Sequence, residues 1–119
     1  MSKKILFIED DPDIYEILNI VFDEEGYEVI GFRSSISLQE IALIHPDLIL
    51  LDVRIVGSEK TGTEICAELK ADPDFSSIPV LLLSAERGLE QIARNAGADG
   101  MISKPFGLTD LISGVKKYL

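Results

Sequence analysis

Cysteine is almost missing from this 119-residue chain, where Cys66 stands alone. A single thiol allows neither an internal disulfide nor a cysteine-based zinc cluster, and it suits a reducing compartment. Basic residues are scarce too: 11 Lys and Arg face 21 Asp and Glu, for a formal net charge of −10. A surface of that sign repels the phosphate backbone, which argues against direct binding to nucleic acid; its ordinary use is solubility. Long apolar runs are also lacking. Only Ile5–Ile8 precede the acids Glu9-Asp10-Asp11 at the N-terminus, too short a run for a signal peptide or a membrane span. The expected location is the cytoplasm, with no membrane contact. No low-complexity tract, linker or internal repeat interrupts the chain.

What is present is core-forming. Hydrophobic residues make up 46% of the sequence, and the length suits one domain over residues 1–119. Short apolar runs alternate with helical patterns. Lys4–Glu9 reads as a strand, and Asp11 then caps a helix that opens at Pro12. Ile14, Ile17, Leu18, Val21 and Phe22 form its apolar stripe, and Gly26 stops it. Tyr27–Phe32 is a second strand, weakened by Gly31. Ser35–His45 is a helix ended by Pro46. Asp47–Leu51 is apolar on both faces, as a central parallel strand should be. A helix over Gly62–Ala71 turns Ile65 and Leu69 inward, and Pro79–Leu83 is the fourth strand. Leu89, Ile92, Ala93 and Ala96 mark a helix ended by Gly97. Gly100–Ser103 is a short fifth strand, and Leu108, Leu111, Ile112 and Val115 mark the last helix. Strict alternation of this kind predicts an α/β fold: one doubly wound parallel sheet of five strands flanked by five helices.

Such sheets bind ligands at the carboxyl ends of their strands. In the flavodoxin-like order 2-1-3-4-5, those ends bring together Glu9, Asp10 and Asp11 after strand one, Asp52 after strand three, Ser84 after strand four and Lys104 after strand five. Gathered carboxylates raise one another's pKa unless a cation intervenes. Oxygen-only ligands, without His or Cys nearby, point to Mg²⁺, with Mn²⁺ as the substitute. Asp52 can then attack phosphorus as a carboxylate nucleophile. Mg²⁺ and Lys104 offset charge on the phosphoryl oxygens, and the Ser84 hydroxyl donates to one of them. Taken singly, each residue has a plainer use. Asp11 is a helix cap, Asp52 and Ser84 could cap turns, and Lys104 could lie on the surface. The conjunction favours a site. His45 reads as a helix-terminal residue, Cys66 as a small buried hydrophobe, and Lys116 and Lys117 as cations suited to a helix end. Gly57 to Gly62 has P-loop glycine spacing, but Thr63 stands where the phosphate-binding lysine belongs.

ILFIEDDP, DLILLD, LLLSA and GADGMISKPF, in this order, closely resemble the receiver domain of two-component response regulators, over essentially the whole chain. The resemblance implies that Asp52 accepts a phosphoryl group from a histidine kinase or a histidine phosphotransfer protein. Asp10, Asp52 and the backbone carbonyl of Arg54 would bind Mg²⁺, with Glu9 acting through water. Ser84 would be the switch hydroxyl, and Lys104, before a cis Pro105 peptide, the phosphate-contacting lysine. A receiver is a signalling domain, although it catalyses its own phosphoryl transfer and dephosphorylation. Its fourth helix, fifth strand and fifth helix would meet an output partner or a second copy. The reading is the same for a stand-alone regulator and for a receiver within a longer chain.

Three departures stand out. Ile55-Val56 replaces the usual Met-Pro pair, and Gly62 lies ten positions after Asp52 rather than the usual eight, so this loop is about two residues longer. Met101 occupies the place of the switch aromatic. Arg54 and Glu86 flank the site, where the family tunes the loss of phosphate. The alternatives are a receiver-like interaction module that is never phosphorylated and a Mg²⁺-dependent phosphatase of the haloacid-dehalogenase type. The second would need an acid at Arg54. A flavodoxin-like cofactor binder would need a Ser/Thr/Gly-rich first loop in place of Glu9-Asp10-Asp11.

Overall fold

A computed structural model describes residues 2–119. Five strands alternate with five helices: β1 (Lys4–Ile8), α1 (Pro12–Glu24), β2 (Glu28–Phe32), α2 (Leu38–Ile44), β3 (Leu48–Asp52), α3 (Gly62–Ala71), β4 (Val80–Ser84), α4 (Leu89–Ala96), β5 (Gly100–Ser103) and α5 (Leu108–Lys116). The strands form one sheet in the order β2-β1-β3-β4-β5, and every pairing is parallel. Both the architecture and the strand order are as the sequence pattern predicts.

The alternation of side chains along each strand divides the core into two layers. Leu6, Ile8, Ile49, Leu51, Val80 and Leu82 face α2, α3 and α4, which supply Ile41, Ile65, Leu69 and Ala93. Ile5, Phe7, Leu48, Leu50, Leu81 and Leu83 face α1 and α5, which supply Leu18, Phe22, Leu111 and Val115. β3 and β4 are buried along their whole length, which is why their sequences read as unbroken apolar runs. Gly31, the weak point of β2, is required by packing: a Cβ there would enter the ring of Phe7.

Local chemistry sets the helix limits. The Asp11 carboxylate accepts from the Asp13 and Ile14 amides at 2.9 and 3.2 Å, with Pro12 first in the helix. Ser37 with Glu40, and Thr61 with Glu64, form capping boxes at the starts of α2 and α3. His45 ends α2 in the left-handed conformation at φ 54°, the helix-terminal place expected of it.

Beyond one-residue shifts at strand ends, two details differ from the periodicity. α2 begins at Leu38 rather than Ser35, because the Ser35 amide is drawn away to the Ser58 hydroxyl at 2.8 Å. Ile17 is 39% exposed, for it sits roughly a quarter turn from the centre of the face that Leu18, Val21 and Phe22 bury. Cys66 is packed inside, where burial pushes its thiol up to about 11. No described helix is long and apolar enough to cross a membrane.

Candidate functional site at the carboxyl ends of the strands

β3 and β4 each run one residue further than the apolar pattern, so Asp52 and Ser84 are the last residues of their strands. The sheet register sets Asp52 beside Leu83 and Ser84 beside Ser103. Backbone bonds continue past the ends, with Val53 N–H to the Leu83 carbonyl at 3.1 Å and Lys104 N–H to the Ser84 carbonyl at 2.9 Å. Lys104 is thereby fixed next to β4, before a cis Pro105 peptide, as expected.

Among the described residues, three polar side chains are buried: Glu9, Asp52 and Ser84. All three lie at this mouth. A folded chain buries carboxylates only where something compensates them, and Lys104 supplies part of the compensation. Its Nζ lies 2.8 Å from Glu9 Oε1 and 3.5 Å from Asp52 Oδ1. Burial alone would lower the pKa of this ammonium, but the hydrogen bond and charge of Glu9, with Asp52, raise it above its usual value. Lys104 is therefore a fixed cation at neutral pH.

One cation does not balance three carboxylates. Burial, and then the charge of Glu9, push Asp52 up to about 8, with Lys104 opposing. Glu9 Oε2 is buried with no hydrogen-bond partner among the described residues. Glu9, Asp10 and Asp52 each offer an oxygen within 4.8 Å of the others. An orphaned buried oxygen, a carboxylate driven toward protonation and an all-oxygen donor set fit a hard divalent cation such as Mg²⁺. Asp11 is not part of this group, and its carboxylate is committed to the cap of α1.

The Ser84 oxygen accepts from the Glu86 amide at 3.0 Å, which leaves its O–H free to donate toward the mouth. Arg54, just beyond β3, turns its guanidinium outward into an ion pair with Glu86. Opposite charges two residues past neighbouring strand ends were a visible signal for that pair. A second contact had none: the Val56 amide donates to Asp10 Oδ2 at 3.1 Å, from a loop without periodicity.

The long loop is anchored where it meets α3. Gly62 N–H donates to the Val53 carbonyl at 2.9 Å, and a Cβ on Gly62 would overlap the Asp52 carbonyl oxygen. The extra length is thus taken up before Gly62. Beside the acidic cluster, Arg54, Ile55, Val56, Glu86 and Ile92 border an open depression of about 500 Å³ that none of the three carboxylates lines. Met101 on β5 is 42% exposed.

The family model for the response regulator receiver domain matches residues 5–116. The chain is 33% identical to the polar-differentiation response regulator DivK of Brucella ovis over 122 residues, covering 100% of this chain and 98% of that one. Among solved structures, it is similar to the signal receiver domain of a signal transduction histidine kinase from Syntrophus aciditrophicus, with TM-score 0.87, 35% identity, and 99% and 90% of the two chains covered. The receiver domain of NtrX from Brucella abortus matches with TM-score 0.85 and 29% identity over 97% of each chain. The matching proteins and domains are response regulators and receiver domains, which are signalling modules, and this sets the phosphatase reading aside. Sequence match, strand order and the acid-lined strand ends agree, and the chain belongs to the receiver domain family of the response regulators of two-component signalling.

Proposed function

We propose that this receiver is a phosphorylation-dependent switch whose acceptor is Asp52. The observation that carries the proposal is a buried strand-end carboxylate held 3.5 Å from a lysine and grouped with two further acids. An Asp52 oxygen forms the new bond to phosphorus while the bond from phosphorus to the donor's histidine nitrogen breaks, and the freed imidazole takes a proton. Mg²⁺, held by Asp10, Asp52 and the Arg54 carbonyl with Glu9 through water, would neutralise charge on the phosphoryl oxygens. Lys104 Nζ, already at the mouth, pairs with a second oxygen. The Ser84 O–H donates to a third, drawing strand ends β4 and β5 toward the new charge.

The donor is a histidine kinase or a histidine phosphotransfer protein, and the setting is the cytoplasm. The face built from α4, β5 and α5, where Met101 and Leu108 are exposed, meets an output partner or a second copy. A flexible methionine in place of an aromatic makes that readout a displacement of the face rather than a ring flip.

One observation favours a second reading. Without a cation, burial and the charge of Glu9 drive the Asp52 carboxyl toward protonation, and a protonated carboxyl is a poor nucleophile. An unphosphorylated interaction module would have such a site. Intact mass after incubation with acetyl phosphate and Mg²⁺ separates the two. The switch requires gain of one phosphoryl group, lost in Asp52→Asn and without Mg²⁺. No gain, either there or with a cognate kinase, would leave the module.

A further inference from the structure

The connection from β3 to α3 is tied down along its length. Ile55 is buried, and Gly57, at φ 79°, turns the chain so that the Ser58 amide reaches back to the Ile55 carbonyl at 3.1 Å. The Ser58 hydroxyl accepts from the Ser35 amide, which fastens the loop to the segment before α2. Between these ties stands Val56. Its side chain is 80% exposed, yet its amide meets Asp10 Oδ2 at 3.1 Å. The loop therefore lends the acidic cluster a backbone donor.

Asp10 needs one. Glu9 and Asp52 are both held by Lys104, whereas Asp10 is half-buried on the turn after β1, and among the described residues the Val56 amide is the donor its carboxylate meets. The like charge on Glu9 pushes that carboxylate outward. A fixed N–H on one of its oxygens opposes the push and leaves the carboxylate facing the other two acids.

We propose that the Val56 backbone N–H is a positioning group for the divalent cation, so that closure of the 53–61 loop and cation binding favour each other. This rests on the reading of Glu9, Asp10 and Asp52 as a Mg²⁺ site. Hydrogen-bond partners of metal-binding carboxylates are worth about 10–100-fold in affinity. By reciprocity, the factor by which the tie strengthens cation binding is the factor by which the cation holds the loop closed.

The side chain and the amide are separable. Val56→Ala keeps the N–H, whereas Val56→Pro removes it. Calorimetric titration of the full chain with Mg²⁺, in buffer freed of other metals, should give Val56→Ala a dissociation constant within about twofold of wild type and Val56→Pro one about tenfold weaker. In the wild-type chain, hydrogen exchange at the Val56 amide should slow when Mg²⁺ is added, and this carries the test if the proline variant does not fold. Val56→Pro binding Mg²⁺ as tightly as wild type, or more tightly, would overturn the proposal; the amide would then be neutral or a competitor for Oδ2. Equal weakening in both variants would also overturn it, by assigning the effect to the side chain. Unchanged exchange would do the same. If the wild-type chain bound no Mg²⁺, the reading of the cluster itself would fall, and this proposal with it.

Discussion

Asp52 is kept in its fold at a cost that depends on pH. Its carboxyl titrates at an ordinary 3.8 in an open chain and is pushed up to about 8 in the folded protein, first by burial and then by Glu9. Between these values the folded state holds a proton that the unfolded state has released, so stability falls as pH rises through that window. Asp52→Asn removes the titration. In metal-free buffer it should raise stability near pH 7 by about 2 kcal/mol, or roughly 8 °C in the melting midpoint, after the cost of burying the amide is set against the gain. The difference should shrink toward pH 4, where Asp52 is protonated in both states. Thermal melts of the two proteins from pH 4 to pH 8 check this, and a gap that stayed constant would contradict it. Lys104 works in the other direction. Its pKa is raised by Glu9 and Asp52, so the stability it contributes is present throughout this range and is lost only at strongly alkaline pH.

At the scale of elements, one lysine joins three of them. Lys70, in the last turn of α3, donates to the carbonyls of Ser76 and Ile78 at 3.1 and 2.8 Å and pairs with Asp99 at 2.6 Å. Asp99 in turn accepts from the Val80 amide at 2.8 Å, so the C-terminus of α3, the entry to β4 and the entry to β5 share one junction. Lys70→Ala should lower stability by about 2 kcal/mol, since it leaves carbonyl and carboxylate acceptors without their donor. The shift in urea midpoint at constant slope measures it. This junction lies outside what periodicity displays. Strands and helix limits were legible because their causes are short-range: Pro12 after Asp11, Ser37 with Glu40, and the unbroken apolar runs of β3 and β4. The residues that meet at the candidate site were legible for a related reason, as polar residues directly follow those runs. Ile17 misled because a helical stripe in sequence is wider than the face a sheet covers. The contacts of Lys70, Arg54 and Val56 depend on loop paths, which no repeat in the sequence encodes.

The whole molecule carries a charge of −10 on a body with a radius of gyration of 12.8 Å, so its acids repel one another across the surface. Salt screens such repulsion, with a Debye length falling from about 30 Å at 0.01 M to about 3 Å at 1 M. Raising NaCl from 0.01 to 0.5 M should therefore lift the melting midpoint by several degrees, about 1 kcal/mol. At matched ionic strength, Mg²⁺ should add a further rise that saturates as a bound ligand's does, and Asp52→Asn should reduce that second rise but not the first. The backbone clasp between Gly62 and Val53 bears on how the fold tolerates change. It fixes both ends of the eight residues Arg54–Thr61, so for the sheet, altering their number past the Val56 and Ser58 ties changes little beyond the entropy of a closed ring. Going from six residues to eight costs roughly 0.3 kcal/mol, far less than a displaced strand. The sheet cannot sense the length of this connector. A peptide tag spliced in at exposed Glu59 would leave Asp52 in register with β4, making the connector a place where a reporter can ride on the switch.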